Sequence, residues 1–339
     1  MTTATSTPMT TSAPTASIVV PAYNSAGTIT ETLRSLLRQT FADFELIVVD
    51  DGSTDGTAER IARFDDPRLR VIRQRNRGLA GAHNTGIAAA RGAYIGFCDA
   101  DDLWLPEKLE RHVDHLRANP DVGISFSGSR MIDAAGQPIG IDQKPKLTGI
   151  TAADIFKRNP IGNGSAAVIR RAALDGFAYR PFGETERDWW FDETFRQSDD
   201  IEGWLRFVLT QDWRIEGIDG LLTLYRIHGA ALSANISRQL DSWLGMRAKI
   251  GEISPDLVER HGPAATAYQL RYLARRAVSM RDGRLASRLV RQSARASLRP
   301  FLEEPVKTTV TFLAAEVLNL VGDSVYAAVE RRLLHPAGT

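Results

Sequence analysis

From Ser17 onward, short apolar runs alternate with amphipathic stretches. Ser17-Ile18-Val19-Val20-Pro21, Phe44 to Val49, Leu69 to Ile72 and Ala93 to Cys98 predict four strands. Between the first two, Leu33, Leu36 and Leu37 share one helical face, and Thr28 precedes Glu31 at the spacing of a capping box. Further helices are expected at Thr57 to Arg63, Leu79 to Ala90 and Leu105 to Arg117. This βαβα rhythm predicts a parallel sheet with helices on both faces. After Asp121 the pattern is less regular. Strands are expected at Val122 to Phe126 and Gly162 to Ile169, then a helix at Asp200 to Thr210, with Tyr225-Arg226-Ile227-His228 closing the domain. Beyond about Asn235 the chain reads as entirely helical. There Val306, Val310, Leu313, Val317 and Leu320 recur as an apolar stripe, behind a run of nine arginines from Arg271 to Arg299 in which Asp282 is almost the only acid.

Composition narrows the class. A chain of 339 residues with 43% hydrophobic content can bury one large domain and carry an appendage. A net charge of +1 argues against a general nucleic-acid binder. The single cysteine, Cys98, excludes an intrachain disulfide and a cysteine zinc cage, and its strand context predicts a buried thiol. Met1 to Ala16 is Thr, Ser, Ala and Pro without Lys or Arg, which reads as a disordered tail and not a signal peptide. The most apolar window, Val310 to Val329, is interrupted by Glu316, Asn319 and Asp323, so no bilayer span is expected and a cytoplasmic location follows.

The candidate chemistry lies at strand ends. Asp99-Ala100-Asp101-Asp102 follows the strand at Ala93 to Cys98, and Asp50-Asp51-Gly52-Ser53-Thr54-Asp55 follows the strand at Phe44 to Val49. Open α/β sheets bind ligands at the carboxyl ends of their strands. Mg²⁺ or Mn²⁺ commonly bridges such carboxylates to a substrate phosphate. A lone D-x-D also suits an Asx turn or a helix cap. Two acidic turns on separate strands crowd like charges, which is costly unless a cation or hydrogen-bond donors compensate.

Pro21-Ala22-Tyr23-Asn24, the Asp50 to Asp55 turn, Asn84-Thr85-Gly86, Asp99 to Asp102, and Asp199-Asp200 through Arg206 occur in an order that resembles the inverting family 2 glycosyltransferases. The resemblance covers roughly Ser17 to Ser233. It implies a GT-A fold, a Rossmann-like mixed sheet flanked by helices. The implied domain is residues 17–235, after a tail at 1–16 and before a helical C-terminal region at 236–339.

By the same resemblance, Pro21, Tyr23 and Asn24 wall a base pocket, Asp50 or Asp51 accepts from base or ribose, and Arg77, Asn84, Asp99 and Ala100 serve the donor. Asp101 and Asp99 would hold Mn²⁺ or Mg²⁺, with His228 at a position that can contact metal or diphosphate. Asp200, beside Asp199, matches the catalytic base. Asn163, Gly164 and Ser165, with Trp189 and Trp190, lie where the acceptor site is shaped, while Trp204 and Arg206 suit packing and ion pairing. His83 stands where the family often has arginine. The implied reaction takes a nucleotide-diphosphate sugar, a UDP-sugar by family, to a glycan or lipid-linked acceptor in surface polysaccharide synthesis. Two other readings are a D-x-D phosphohydrolase with Asp99 as nucleophile, and a non-catalytic nucleotide-sugar-binding assembly subunit. The helical tail suits packing on the catalytic domain, homodimer formation or peripheral contact with the inner face of a membrane.

Overall fold

A computed structural model describes residues 13–227 and 236–334, with side chains to 326. The strands are β1 (Ala16–Ala22), β2 (Phe44–Asp50), β3 (Leu69–Arg73), β4 (Tyr94–Phe97), β5 (Leu103–Trp104), β6 (Val122–Ile132), β7 (Pro138–Gln143), β8 (Ala167–Arg170) and β9 (Arg214–Arg226). The helices are α1 (Ile29–Leu37), α2 (Thr57–Ile61), α3 (Gly78–Ala89), α4 (Lys108–Ala118), α5 (Ala152–Arg158), α6 (Arg171–Asp175) and α7 (Asp199–Thr210). They continue as α8 (Ile236–Ile253), α9 (Pro255–Ser279), α10 (Gly283–Ala296), α11 (Arg299–Glu303) and α12 (Pro305–Leu334).

One sheet runs in the order β3-β2-β1-β4-β8-β6-β9-β5, with β7 on β6. The βαβ half is parallel, as the rhythm predicts. The expectation of a parallel sheet stops there. β8 lies antiparallel to both β4 and β6, and β5 lies antiparallel to β9, so the sheet is mixed. β6 and β9 run parallel to each other, so the reversed strands are the short β5, β7 and β8.

Period-two alternation divides β1 and β2 between two cores. Val19, Ile47 and Val49 face α3 and α7 in one core, whereas Ile18, Val20, Leu46 and Val48 face α1 and α4 in the other. α3 comes so close to β1 that a Cβ on Gly86 would stand 2.2 Å from Val19 Cγ1. This packing explains the Gly of Asn84-Thr85-Gly86. Cys98 is buried, as expected, and burial raises its thiol pKa.

The capping box at Thr28 does not form. Thr28 and Thr32 instead donate their hydroxyls to the Ala100 carbonyl at 2.8 and 3.0 Å, and Glu31 pairs with Arg226 at 2.7 Å. The compositional boundary near residue 235 does not divide the core either. Trp243, Met246 and Ile250 of α8 belong to the first core, where Trp243 stacks on Phe156 at 6.0 Å between ring centroids. A separate cluster joins α9, α10 and α12. Among the described residues no helix is long and apolar enough to cross a membrane.

Candidate active site

Because β1, β2 and β4 are parallel neighbours, the segments after Ala22, Asp50 and Phe97 all emerge at one sheet edge. The Asp99–Asp102 turn is fastened there from three sides. α1 grips the Ala100 carbonyl through its two threonines. The Ser165 hydroxyl accepts from the Asp99 N–H at 2.9 Å and donates to Asp102 Oδ2 at 2.6 Å. From β9, the Arg226 N–H donates to Asp102 Oδ1 at 2.9 Å, and its guanidinium donates to the Asp101 carbonyl at 2.8 Å. Beneath the turn, Lys108 Nζ donates to the Ala166 carbonyl at 2.9 Å.

Asp99, Asp101 and Asp102 bring carboxylate oxygens within 4.8 Å of one another. Asp99 Oδ1 is buried and has no hydrogen-bond partner, and Gly164 faces it with room for a Cβ 3.8 Å away. Burial, then Asp101 and Asp200, push the Asp99 carboxyl up to about 7. Asp102 is raised by burial and by its two neighbours.

Opposite this turn stands the first turn of α7, which follows Ser198 in a left-handed conformation (φ 63°). Burial, then Asp200, push Asp199 up to about 8, with Asp99 and Glu202 adding smaller effects; burial also raises Asp200. The two acidic turns therefore feel one another across the cleft. Asp200 Oδ2 accepts from Asn159 Nδ2 at 3.3 Å, and Asn159 Oδ1 is buried without a partner. Sequence reasoning passed over Asn159. The available signal was an Asn before Pro160 at a helix end, and Asn159 does adopt φ 23° as the C-cap of α5.

On the other side of the cleft, Tyr23 is half exposed after Pro21. Asn24, at φ 48°, donates its N–H to Ser53 Oγ and accepts from the Thr54 N–H at 2.9 Å. Asp51 is fully engaged, accepting from Gln74, the Arg77 N–H and the Gly78 N–H at the start of α3. Asp50 accepts from the Ser53 N–H, and its Oδ2 has no hydrogen-bond partner. Of the pair, only Asp50 retains an oxygen free of hydrogen bonds, and Arg73 Nε pairs with it at 3.4 Å.

Several expected contacts have other employment. The Arg77 guanidinium is bound by Glu193, Glu184 and Glu186 at 2.6–2.8 Å, so its charge is spent within the protein and not on a diphosphate. Asn84 is fully buried. Its Oδ1 accepts from the N–H groups of Trp190 and Phe191, and its Nδ2 donates to Phe191 and Glu193, which makes it an anchor of the 190–193 segment in place of a donor contact. Trp190 is 7% exposed and donates to the Leu174 carbonyl, so it packs in the core and offers no face to a sugar. Trp189 is half-buried against Tyr179 and donates to Glu184.

His83 lies in the core against Phe97, and burial pushes it down to about 4, so it is neutral and supplies no charge to a donor. Asn163 Nδ2 donates to Ser129, leaving a buried Oδ1 unpartnered near Gly164. Trp204 is buried and Arg206 pairs with Glu202, as the sequence suggested. His228 lies outside the described residues.

The arrangement can hold a hard cation at one strand end and a carboxylate base opposite it. Comparison with known proteins identifies the family. The model of Glycosyl transferase family 2 matches residues 17–177. The chain is 30% identical over 226 residues to UDP-Glc:alpha-D-GlcNAc-diphosphoundecaprenol beta-1,3-glucosyltransferase WfgD of Escherichia coli, covering 66% of this chain and 81% of that one. Its likeness to WfaP of Escherichia coli, which carries the same enzyme description, is 29% over 225 residues, or 66% and 82% of the two chains. In fold it is similar to S. aureus TarS 1-349 in complex with UDP-GlcNAc, with a TM-score of 0.57, 19% identity and 91% and 92% of the chains covered. A mannosyltransferase from Pyrobaculum calidifontis in complex with GDP-Man and Mn²⁺ gives 0.55 at 21% identity, over 92% and 88%. The chain belongs to glycosyl transferase family 2, and it is a GT-A glycosyltransferase with relatives in polysaccharide and lipid-linked glycan biosynthesis.

Proposed function

We propose that this glycosyltransferase moves a sugar, with inversion, from a UDP-sugar to a hydroxyl of a glycan or lipid-linked acceptor at the inner face of the cell membrane, with Mn²⁺ or Mg²⁺ as cofactor. The observation that carries this reading is the carboxylate cluster after β4, whose Asp99 carboxyl is raised by burial, by Asp101 and by Asp200 at the start of α7. The family relatives point the same way for donor and acceptor, since WfgD and WfaP are named for UDP-Glc and a diphosphoundecaprenol-linked sugar.

The residues fit a divalent ion. The ligand set is all carboxylate oxygen, one of its oxygens is buried and unpartnered, and burial with like-charge crowding raises the Asp99 and Asp102 carboxyls, a setting that a divalent cation would relieve. Asp99 and Asp101 would hold the ion. When bound it would offset charge on the departing diphosphate. Asp102, with both oxygens committed to Ser165 and Arg226, orients the turn.

Asp200 is the base in this reading. The acceptor O–H gives its proton to the Asp200 carboxylate, its oxygen bonds to the anomeric carbon, and the bond from that carbon to the diphosphate breaks on the opposite face. Burial raises Asp200 toward the range where a carboxylate removes a proton more effectively. The helix N-terminus fixes it in place. Asp50, whose Oδ2 accepts no hydrogen bond and meets the exposed Arg73 guanidinium at 3.4 Å, is the donor-side carboxylate of the acidic pair.

The test is a thermal-shift panel of UDP, GDP, CDP, TDP and ADP, with and without Mn²⁺, followed by transfer assays. A Mn²⁺-dependent shift with UDP that Asp101→Ala removes is expected. Asp200→Asn should keep that shift and lower transfer by about 10²–10⁴-fold, the range for general-base catalysis. Full transfer by Asp200→Asn would overturn the assignment of the base.

A further inference from the structure

The apolar stripe of α12 is not covered by the rest of the chain. Val306, Val310, Leu313, Val317 and Leu320 are exposed by 38% at Val317 to 79% at Leu320, whereas Thr308, Thr311, Ala315 and Leu318 form the buried face of the same helix. At about 100° per residue the five fall within an arc of about 80°. Leu298 and Leu302 of the adjoining segment are exposed as well. Isolated exposed leucines are ordinary, but a continuous row along a helix marks an interaction surface.

The helix packed against α12, α10, carries a row of cations. Arg284, Arg288, Arg291 and Arg295 of α10 line a groove closed on its other side by Asn319 of α12. α10 and α12 meet closely there, since a Cβ on Gly283 would stand 2.8 Å from the backbone of Leu318. Arg291 pairs with Glu316 at 2.8 Å. Among the described residues, Arg284, Arg288 and Arg295 have no carboxylate partner. The nearby acids are already engaged: Glu303 by Arg299 and Lys157, Glu304 by Arg271 and Arg158, and Glu316 by Arg291.

We propose that this face docks on an anionic lipid bilayer, with the α12 stripe seated among the acyl chains and the α10 arginines on headgroup phosphates. An exposed apolar helix face on α12 with arginines on the neighbouring α10 meets both needs of that surface, and guanidinium binds phosphate through paired N–H donors. A second copy of the chain fits less well. It would cover the stripe, but its own acids on this face are occupied and would leave the arginines uncompensated. The docking face is also joined to the cleft. Lys157 and Arg158 at the end of α5 bind Glu303 and Glu304, and the next residue, Asn159, donates to Asp200. A lipid-linked acceptor would thus approach from the side where the base stands. This deepens the membrane-side placement proposed above, but the docking argument itself rests on the C-terminal helices alone.

The experiment is co-sedimentation of the full chain with phosphatidylcholine vesicles, with and without phosphatidylglycerol, alongside transfer to a water-soluble acceptor. Binding to the phosphatidylglycerol vesicles alone, weakened by salt, is expected. Val310→Asp with Leu313→Asp should abolish it. The triple variant Arg284→Gln, Arg288→Gln, Arg295→Gln should weaken it about 100-fold, at roughly fivefold per cation. All five positions are exposed, and unfolding curves verify that each variant folds. Absence of vesicle binding, or equal binding to both compositions, overturns the proposal. So does a concentration-dependent dimer that Leu313→Asp dissolves while vesicles are ignored, which would assign the stripe to a second copy. Transfer by the unsubstituted chain without any vesicle binding would sink the docking and leave the catalytic reading standing, whereas variants that lose vesicle binding and keep transfer to the soluble acceptor support it.

Discussion

Glu202→Gln tests what holds the base helix in place. The Glu202 carboxylate is wholly buried on α7 and receives Arg206 Nε at 2.8 Å, Arg206 Nη2 at 3.3 Å and Lys249 Nζ at 2.8 Å. Glutamine keeps the shape and one acceptor oxygen but removes the charge between two cations. Arg206 cannot retreat to solvent, because it stacks on Phe177 at 4.0 Å and donates to the carbonyls of Phe177 and Trp190. Orphaning one partner of a buried pair costs about 3–5 kcal/mol. Lys249 keeps Asp192 and reaches solvent, which favours the lower end, about 3 kcal/mol. Urea unfolding should show that loss as a lower midpoint at unchanged slope. Adding Arg206→Met to Glu202→Gln should cost less than the sum of the two single replacements, because the orphaned cation goes with it. A Glu202→Gln protein within about 0.5 kcal/mol of the parent, a surface-like value, would refute the reasoning.

Asn159→Ala removes a hydrogen bond to the base and should lower kcat about tenfold while leaving nucleotide affinity unchanged; a change confined to nucleotide affinity would show that Asn159 serves the donor instead. Without metal, the Asp99 and Asp199 carboxyls, pushed up to about 7 and 8, hold protons that the unfolded chain has already released above pH 4. The native state then binds more protons, so stability should fall as pH rises from about 5 to 8. Added Mn²⁺ should expel the proton from Asp99 and raise the thermal midpoint more at pH 8 than at pH 6. A larger Mn²⁺ shift at pH 6 would contradict that linkage.

The strand-and-turn frame was legible because its information is local. β1, β2 and β4 are compact apolar runs that end at acidic turns, and their parallel order brings those turns to one edge. Partner choice was not local. Thr28 and Glu31 have the spacing of a capping box, yet each finds a distant partner, the Ala100 carbonyl and Arg226. Arg77 and Asn84 looked available for a ligand because Glu184 and the 190–193 segment lie more than a hundred residues on. The arginines of α9 and α10 looked almost unopposed for the same reason. Acids for Arg271 and Arg291 arrive only with Glu304 and Glu316, while Arg284, Arg288 and Arg295 have none among the described residues. Asn159 carried only a helix-end signal, and nothing nearby in sequence announced that Asp200 would meet it.

Trp243 gives the molecule an indivisibility that its composition conceals. A gene trimmed near residue 235 would encode every described acidic turn and the whole sheet, and would look like a tidy catalytic module. It would also strip Trp243, Met246 and Ile250 from the first core and leave Phe156 without its stacking partner. Emptying large buried sites costs about 2–5 kcal/mol each, which for three sites reaches the whole stability of an ordinary domain. Swapping C-terminal regions between relatives, or expressing the sheet alone, is therefore a test of folding before it is a test of specificity.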